Sequence, residues 1–145
     1  MAAVVTSPAL RCRQTAATLF PGRMLAQDPR LWEQDFGAHE GLAAADLPDL
    51  GPLDRGVLAA YAPPQGESFA AMAARVAPAL EDLARKAIAE GPVAVVAHAG
   101  TVRAGLALAL GSAPAALAFE VAPLSVTRLR CLGGGFSVLC VNAAL

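Results

Sequence analysis

Two short runs of apolar residues, 2–6 and 93–97, are each followed at once by a helical pattern. Runs of this length and composition are typical of strands that are buried on both faces. Strands that alternate with helices predict an α/β fold with right-handed crossovers. We therefore expect a three-layer sandwich in which helices flank a mostly parallel sheet. The 145 residues are enough for one such domain and too few for two.

The spacing of apolar residues predicts where most of the helices lie. Four helices are expected, at 8–20, 54–61, 66–90 and 99–110. Ser7 is a natural cap for the first helix, and Pro78 predicts a kink inside the third. A run of three glycines predicts a hairpin turn between two strands, at 125–132 and 136–142. A short strand is also expected at 23–27.

Composition argues against several classes of protein. The net charge is −1, so the chain has no basic field to hold nucleic acid. No uncharged apolar run reaches the roughly 18 residues of a membrane span, and the first residues do not form a signal-peptide pattern. Three scattered cysteines, Cys12, Cys131 and Cys140, favour a reducing cytoplasm over a disulfide framework or a zinc site. We expect neither a metal nor a cofactor.

His98 ends one of the two buried strands and directly precedes a helix. Ligands of open α/β sheets bind outside the carboxyl ends of the strands. The first amides of the helix, those of Ala99 and Gly100, together with its dipole, would favour an anion there. The sequence therefore indicates an anion site at His98. A buried histidine that is hydrogen-bonded to a neighbour is an equally good interpretation of the residue taken alone.

Arg11 occupies the corresponding place after the other strand, in the first turns of the first helix. The forked donors of a guanidinium match two phosphate oxygens. Arg13 is two residues further on, so the two side chains cannot share one helical face. Arg11 is a candidate phosphate ligand, although a pair of solvated surface arginines would give the same pattern.

Glu33 lies in a loop that carries two aromatic anchors, Trp32 and Phe36. Large apolar side chains hold a loop in place, and a carboxyl group in a fixed position can act as a general acid. The alternative is a rigid turn whose carboxylates are merely hydrated. No nucleophile elbow, P-loop or dinucleotide-binding glycine motif is present in the sequence.

Four segments, taken in order, resemble motifs of the histidine phosphatase family, to which cofactor-dependent phosphoglycerate mutase belongs. They are Ser7-Pro8-x-x-Arg11-x-Arg13-Gln14-Thr15-Ala16, Glu33-x-Asp35-Phe36-Gly37-x-x-Glu40-Gly41, Pro64-x-Gly66-Glu67-Ser68 with Arg75, and Val95-Val96-Ala97-His98-Ala99-Gly100-x-Val102-Arg103. The second and third segments look most like those of α-ribazole phosphatases, which act late in cobalamin biosynthesis. Together the segments span nearly the whole chain.

The resemblance implies a phosphoglycerate mutase-like fold and hydrolysis of a phosphorylated small molecule. It implies that Arg11 binds the phosphoryl group and that Glu33 donates a proton to the leaving oxygen. His98 and the amides of Ala99 and Gly100 would hold the charge of the phosphoryl group.

The family's opening strand ends in Arg-His-Gly, whose histidine is the nucleophile, and this motif is absent here. We therefore expect residues 1–145 to form a single, N-terminally truncated domain that lacks the first strand and helix and is inactive or impaired. His39 lies in a loop and is not expected to replace the nucleophile. The alternative is a paralogue that binds a phosphoester or a protein partner without chemistry.

The lost strand would leave a gap inside the sheet, because its two neighbours would have no partner between them. Three outcomes are expected: the flanking strands close up, a second copy covers the edge, or the protein is poorly soluble. Of these we predict a homodimer with an unusually apolar interface.

Overall fold

The computed structural model describes residues 1–145 and contains five strands and five helices. In chain order these are β1 (Ala3–Thr6), α1 (Leu10–Leu19), β2 (Leu25–Gln27), α2 (Arg55–Ala60), α3 (Phe69–Glu90), β3 (Val93–Val96), α4 (Ala99–Leu110), α5 (Ala113–Ala116), β4 (Ser125–Leu132) and β5 (Gly135–Ala144). The four predicted helices and five predicted strands are all present, with small differences at their ends. None of the helices combines the length and hydropathy that a membrane-spanning segment needs.

The first three strands form a parallel sheet in the order β2-β1-β3. Val5 of β1 lies opposite Ala26 on one side and Val95 on the other. Because β1 is the central strand, its side chains are shielded, and Val4 is 1% exposed. The α/β class, with helices flanking a parallel sheet, is confirmed. All three strands point the same way, so β1 and β3 deliver their last residues to one edge of the sheet.

The core lies where α3 packs on α4. Apolar residues at three- and four-residue spacing place one face of α3 against this core, as the sequence predicts. Met72, Val76 and Leu106 are fully buried there, and Leu31 joins them from the loop after β2. Ser68 caps α3 by accepting a hydrogen bond from the N–H of Ala71. The helix then continues through Pro78 to Glu90.

Two features of the helices differ from the expectation. Ser7 does not cap α1, whose N-cap residue is Ala9 and has no side-chain cap. The hydroxyl of Ser7 instead bonds to His98, a contact between distant parts of the chain that local pattern does not reveal. The short helix α5 was not expected. It begins at a signal that the sequence carries, because Ser112 accepts a bond from the N–H of Ala115 and Pro114 occupies the first turn.

The hairpin β4–β5 forms an antiparallel sheet of its own and does not pair with β3. A cavity of about 580 Å³ lies between β3, β4 and α3, with mainly apolar walls that include Leu83, Leu129 and Leu139. Val95, in the middle of β3, is 37% exposed because nothing pairs with this edge. The expected gap is therefore present. β3 and β4, the strands on either side of the gap, do not pair with each other. The expectation that they close up is therefore wrong for the single chain.

Candidate active site

His98 lies at the edge where the parallel strands end and is 6% exposed. It is the N-cap residue of α4. Its Nδ1 lies 2.9 Å from Nη2 of Arg11, and its Nε2 lies 2.9 Å from Oγ of Ser7. A guanidinium can only donate, so Nδ1 is the acceptor and the ring proton sits on Nε2. These contacts describe a neutral imidazole that donates to the hydroxyl of Ser7.

The surroundings of His98 also favour its neutral form. Burial lowers the pKa of this imidazole, because taking the ring out of water disfavours its charged state. The carboxylate of Glu33 acts in the opposite direction, and the positive charge of Arg11 adds to the lowering. Burial is the largest effect. The histidine therefore enters the site as a hydrogen-bonding group rather than as a fixed cation.

Cys12 packs against the same ring. Its Sγ lies 3.8 Å from Nδ1 and 3.7 Å from Nε2 of His98, so it is close to both ring nitrogens. Burial raises the pKa of the Cys12 thiol and keeps it protonated. The thiol thus behaves as a small apolar group that supports the ring.

Glu33 reaches the start of α4. Its Oε1 accepts a hydrogen bond from the N–H of Gln34 at 2.9 Å, and its Oε2 accepts one from the N–H of Gly100 at 3.4 Å. A Cβ at position 100 would lie 2.1 Å from Oε1 of Glu33 and 2.8 Å from Cε of Met72, so the ends of both side chains would have to shift to admit it. Two amides, those of Ala99 and Gly100, are expected to bind substrate. In the structure the amide of Gly100 donates to Glu33 instead. Ala99 is the first residue of α4, so its amide belongs to the positive end of the helix.

Trp32 covers His98 from the side of the loop. The two rings are nearly parallel, with 11° between their planes and 6.4 Å between their centroids. Arg75 of α3 holds the backbone of this loop by donating to the carbonyl of Trp32 at 3.2 Å and to that of Glu33 at 3.2 Å. Arg75 is itself paired with Glu67 at 2.5 Å. One arginine therefore ties α3 to the loop that carries both Trp32 and Glu33.

A second loop packs tightly against this one. The N–H of Glu67 donates to the carbonyl of Asp35 at 2.8 Å. Gly37 has a φ of +52°, and a Cβ there would lie 2.3 Å from the carbonyl oxygen of Pro64. A Cβ at Gly66 would lie 2.5 Å from the carbonyl oxygen of Asp35. Both glycines are needed for the two backbones to meet, and the joined loops form one wall of a cleft.

The cleft has a volume of about 700 Å³. Its walls are Arg11, Pro29, Trp32, Glu33, Gln34, Asp35, Phe36, Glu40, Gln65, Gly66, Glu67 and Arg75. His98 lies behind Arg11 and Trp32, each of which contacts its ring and faces the cleft. The structure thus brings Arg11, Glu33 and His98 together at one place. His39 is not among the residues that line the cleft.

Comparison with known proteins identifies the group to which this arrangement belongs. The family model of the histidine phosphatase superfamily (branch 1) matches residues 1–144. The chain belongs to the histidine phosphatase superfamily. No curated protein matches it with significant similarity.

Several solved histidine phosphatases share the fold. A mycobacterial glucosyl-3-phosphoglycerate phosphatase in complex with inorganic phosphate has 28% identity and a TM-score of 0.80, over 97% of this chain and 76% of that one. YhfR of Bacillus stearothermophilus has 27% identity and a TM-score of 0.81, over 100% of this chain and 75% of that one. The α-ribazole phosphatase of Shigella flexneri has 20% identity and a TM-score of 0.81, over 99% of this chain and 75% of that one, and shows the fold alone.

Three residues of this histidine phosphatase site were not recognised from sequence. Ser7 was interpreted as a helix cap, Trp32 as a structural anchor, and Arg75 only as part of a motif. Arg75 lies off the apolar stripe of α3, so periodicity predicts a solvated side chain, whereas in the structure it is half-buried. The other two contacts depend on how distant segments meet, and no local pattern encodes them.

Proposed function

We propose that the cleft binds the phosphoryl group of a small phosphomonoester, and that the protein is a phosphomonoester hydrolase resembling α-ribazole-5'-phosphate phosphatases. The proposal rests on one observation: the guanidinium of Arg11 and the N-terminus of α4 meet at His98. Both carry positive charge toward the same point, which suits a phosphate. The related mycobacterial phosphatase was solved with inorganic phosphate, which supports this ligand class.

Each site residue receives a role in this proposal. Arg11 exchanges its bond to Nδ1 of His98 for two bonds to phosphoryl oxygens. When Arg11 leaves Nδ1, His98 takes up a proton at that nitrogen from water and becomes a donor to the phosphoryl group, together with the amide of Ala99. The amide of Gly100 joins them when Glu33 moves. Glu33 takes up a proton from water when the substrate binds and gives it to the leaving alcohol oxygen, which departs as a neutral hydroxyl. The wall of the cleft that holds Glu33 is fixed by Arg75, which acts only as a positioning residue.

We further propose that the chain alone turns over phosphomonoesters poorly, because it offers no second histidine to attack phosphorus. It has two histidines: His98 is bonded to Arg11 and Ser7, whereas His39 lies on a short helical turn at residues 37–39 and makes no side-chain hydrogen bond to either. Hydrolysis in this family needs a nucleophile that first accepts the phosphoryl group and then yields it to water. Residues 1–145 would act as a single domain that binds the phosphoryl group but lacks an attacking histidine.

An assay with p-nitrophenyl phosphate tests this proposal. We expect negligible release of p-nitrophenolate by the chain and by its His39→Ala and His98→Ala variants. Robust turnover that survives His98→Ala and disappears in His39→Ala would show that His39 is the nucleophile. Turnover lost only in His98→Ala would show that the chain is a complete enzyme.

A second function, binding of a phosphoester without hydrolysis, is favoured by the same arrangement of Arg11 and His98. It predicts saturable binding of inorganic phosphate with no turnover of any phosphomonoester. A chain that neither binds phosphate nor depends on Arg11 would instead be an interaction module of this fold.

The remaining expectations concern location and assembly. Three free cysteines support a reducing cytoplasm. The apolar cavity beside the unpaired edges of β3 and β4 supports a homodimer in which a second copy covers this face. The likeness of the loop motifs to α-ribazole phosphatases supports a step in cobalamin biosynthesis.

A further inference from the structure

The cleft is polar except for two aromatic rings. Trp32 and Phe36 are the hydrophobic members of its lining, and they are 45% and 39% exposed. Large aromatic side chains in soluble proteins are mostly buried, and exposed ones that border a cleft commonly mark a binding surface. The two rings are therefore the natural contacts for an apolar part of a ligand.

Trp32 is held in position before any ligand arrives. Its carbonyl accepts hydrogen bonds from Nη1 and Nη2 of Arg75 at 3.2 and 3.3 Å. The preceding residue, Leu31, is fully buried in the core. The indole packs parallel to the ring of His98. A ring that is already ordered loses little conformational freedom when a ligand stacks on it.

The rings share the cleft with the residue that would hold the phosphoryl group. Arg11 and Trp32 both contact the imidazole of His98 and both line the cleft. A phosphoryl group held by Arg11 would therefore share the cleft with the indole. Phe36, four residues beyond Trp32 on the same loop, lines the same cleft.

The carboxylates of the cleft are engaged with the protein itself. Glu33 accepts from the N–H groups of Gln34 and Gly100. Asp35 accepts from the N–H of Gly37, Glu40 from that of Phe36, and Glu67 from that of Asp35. These bonds build the loop, and of the four acids only Glu33 is assigned a contact with the ligand.

The carboxylates nevertheless set the charge of the cleft. The lining carries four acidic side chains and two arginines, of which Arg75 is paired with Glu67. Beyond Arg11, the cleft therefore repels a second anionic group on the ligand.

We propose that Trp32 and Phe36 bind a planar ring in the alcohol part of the phosphomonoester, and that the four carboxylates exclude a second anionic group. The substrate class is thus the phosphomonoester of a neutral or cationic ring-bearing alcohol, and phosphorylated carboxylic acids are disfavoured. This inference rests on the proposed function, because it places the phosphoryl group at Arg11.

Calorimetric titration of the full chain with three probes tests the proposal. Phenyl phosphate carries a ring, ethyl phosphate lacks one, and phosphoglycolate carries a carboxylate. Stacking on an aromatic side chain should make phenyl phosphate bind about tenfold more tightly than ethyl phosphate. Phosphoglycolate should bind more weakly than ethyl phosphate. The emission of Trp32, the single tryptophan, should be quenched by stoichiometric phenyl phosphate.

Substitution of the two aromatic residues tests whether they cause the preference for phenyl phosphate over ethyl phosphate. Trp32→Ala should reduce the ratio of the two affinities to about one, whereas Trp32→Phe should keep most of the ratio. Phe36→Ala should reduce it partly, which serves as an independent test if Trp32→Ala does not fold. Met24→Ala removes another exposed hydrophobic side chain and should leave the ratio unchanged.

The outcomes separate the two proposals. Equal affinities for phenyl and ethyl phosphate, or a ratio that survives Trp32→Ala, would overturn the aromatic surface and leave phosphate binding intact. Tighter binding of phosphoglycolate than of ethyl phosphate would overturn the charge exclusion. If none of the probes binds, the proposed function itself fails.

Discussion

At the scale of single residues, the site depends on the hydrogen bonds of His98. Ser7 and Arg11 together determine which ring nitrogen carries the proton, and burial keeps the ring neutral. The sequence places His98 correctly at a strand end, because strand and helix patterns meet there. Its partner Ser7 is 91 residues away, and its tautomer depends on that contact. Such contacts follow from tertiary packing, so periodicity could not predict them.

The lowered pKa of His98 predicts a pH dependence of stability. Below about pH 6.5, the ordinary pKa of histidine, the unfolded chain binds a proton at His98 that the folded protein does not. The free energy of unfolding therefore decreases as the pH is lowered. The stabilisation is present above this value and is lost as pH falls toward the folded pKa. Urea unfolding at a series of pH values from about 7 to 5 measures the slope. His98→Gln should flatten it and His39→Gln should leave it unchanged; an unaltered slope in His98→Gln contradicts the assignment.

Ser7→Ala tests the partner of His98 directly. The substitution leaves the buried Nε2–H without an acceptor, which should cost about 1–3 kcal/mol of the free energy of unfolding. Denaturant titration measures the loss. Ser137 is exposed on β5, and Ser137→Ala should change stability by less than about 0.5 kcal/mol. If the two substitutions changed the free energy of unfolding equally, the hydrogen bond between Ser7 and His98 would not contribute to stability.

At the scale of elements, the junction of α4 with the Glu33 loop decides the geometry of the site. The bounds of α4 were predictable, since His98 and Gly111 bracket a helical pattern. The role of Gly100 was not, because its missing side chain matters only where Glu33 approaches from another segment. The role of Arg75 was also not predictable. Its place on α3 follows from periodicity, but its hydrogen bonds to the carbonyls of Trp32 and Glu33, 43 and 42 residues earlier in the chain, do not.

Gly100→Ala should weaken this junction. The added Cβ would force the carboxylate of Glu33 and the Cε of Met72 to shift. Because Met72 is fully buried, we expect a loss of about 1 kcal/mol, the lower end of the cost of overpacking. On the same helix, a Cβ at Gly105 would lie 3.2 Å from Cδ1 of Leu129, which borders the open cavity and can shift. Gly105→Ala should therefore be neutral or stabilise the protein by up to about 1 kcal/mol. Thermal unfolding compares the two variants, and a Gly100→Ala protein as stable as Gly105→Ala would contradict the close contact.

At the scale of the whole molecule, the separation of β3 from β4 decides which surface is open to association with another molecule. The fold class was predictable from the alternation of strands and helices, and the gap from the resemblance to the family. The state of the gap was not predictable, because closure depends on how far α3 and the hairpin hold the two edges apart. The cavity leaves apolar side chains and two strand edges open to contact with another molecule.

We predict that the chain forms a dimer through this face. Sedimentation velocity at micromolar concentration should give a dimer, since burial of the apolar cavity wall favours association. Leu139→Lys places a charge on the cavity wall and should shift the protein to monomer. Met24→Lys, outside the cavity, should not. A clean monomer of the unsubstituted chain would count against the prediction.

The account as a whole depends on a phosphate-sized site at Arg11 and His98. The most direct measurement is a phosphorus NMR titration of inorganic phosphate with the chain and with two arginine variants. We predict a saturable change in the phosphate resonance for the chain and for Arg13→Ala, and none for Arg11→Ala. Phosphate binding that is unchanged in Arg11→Ala, or absent from the chain itself, would contradict the account.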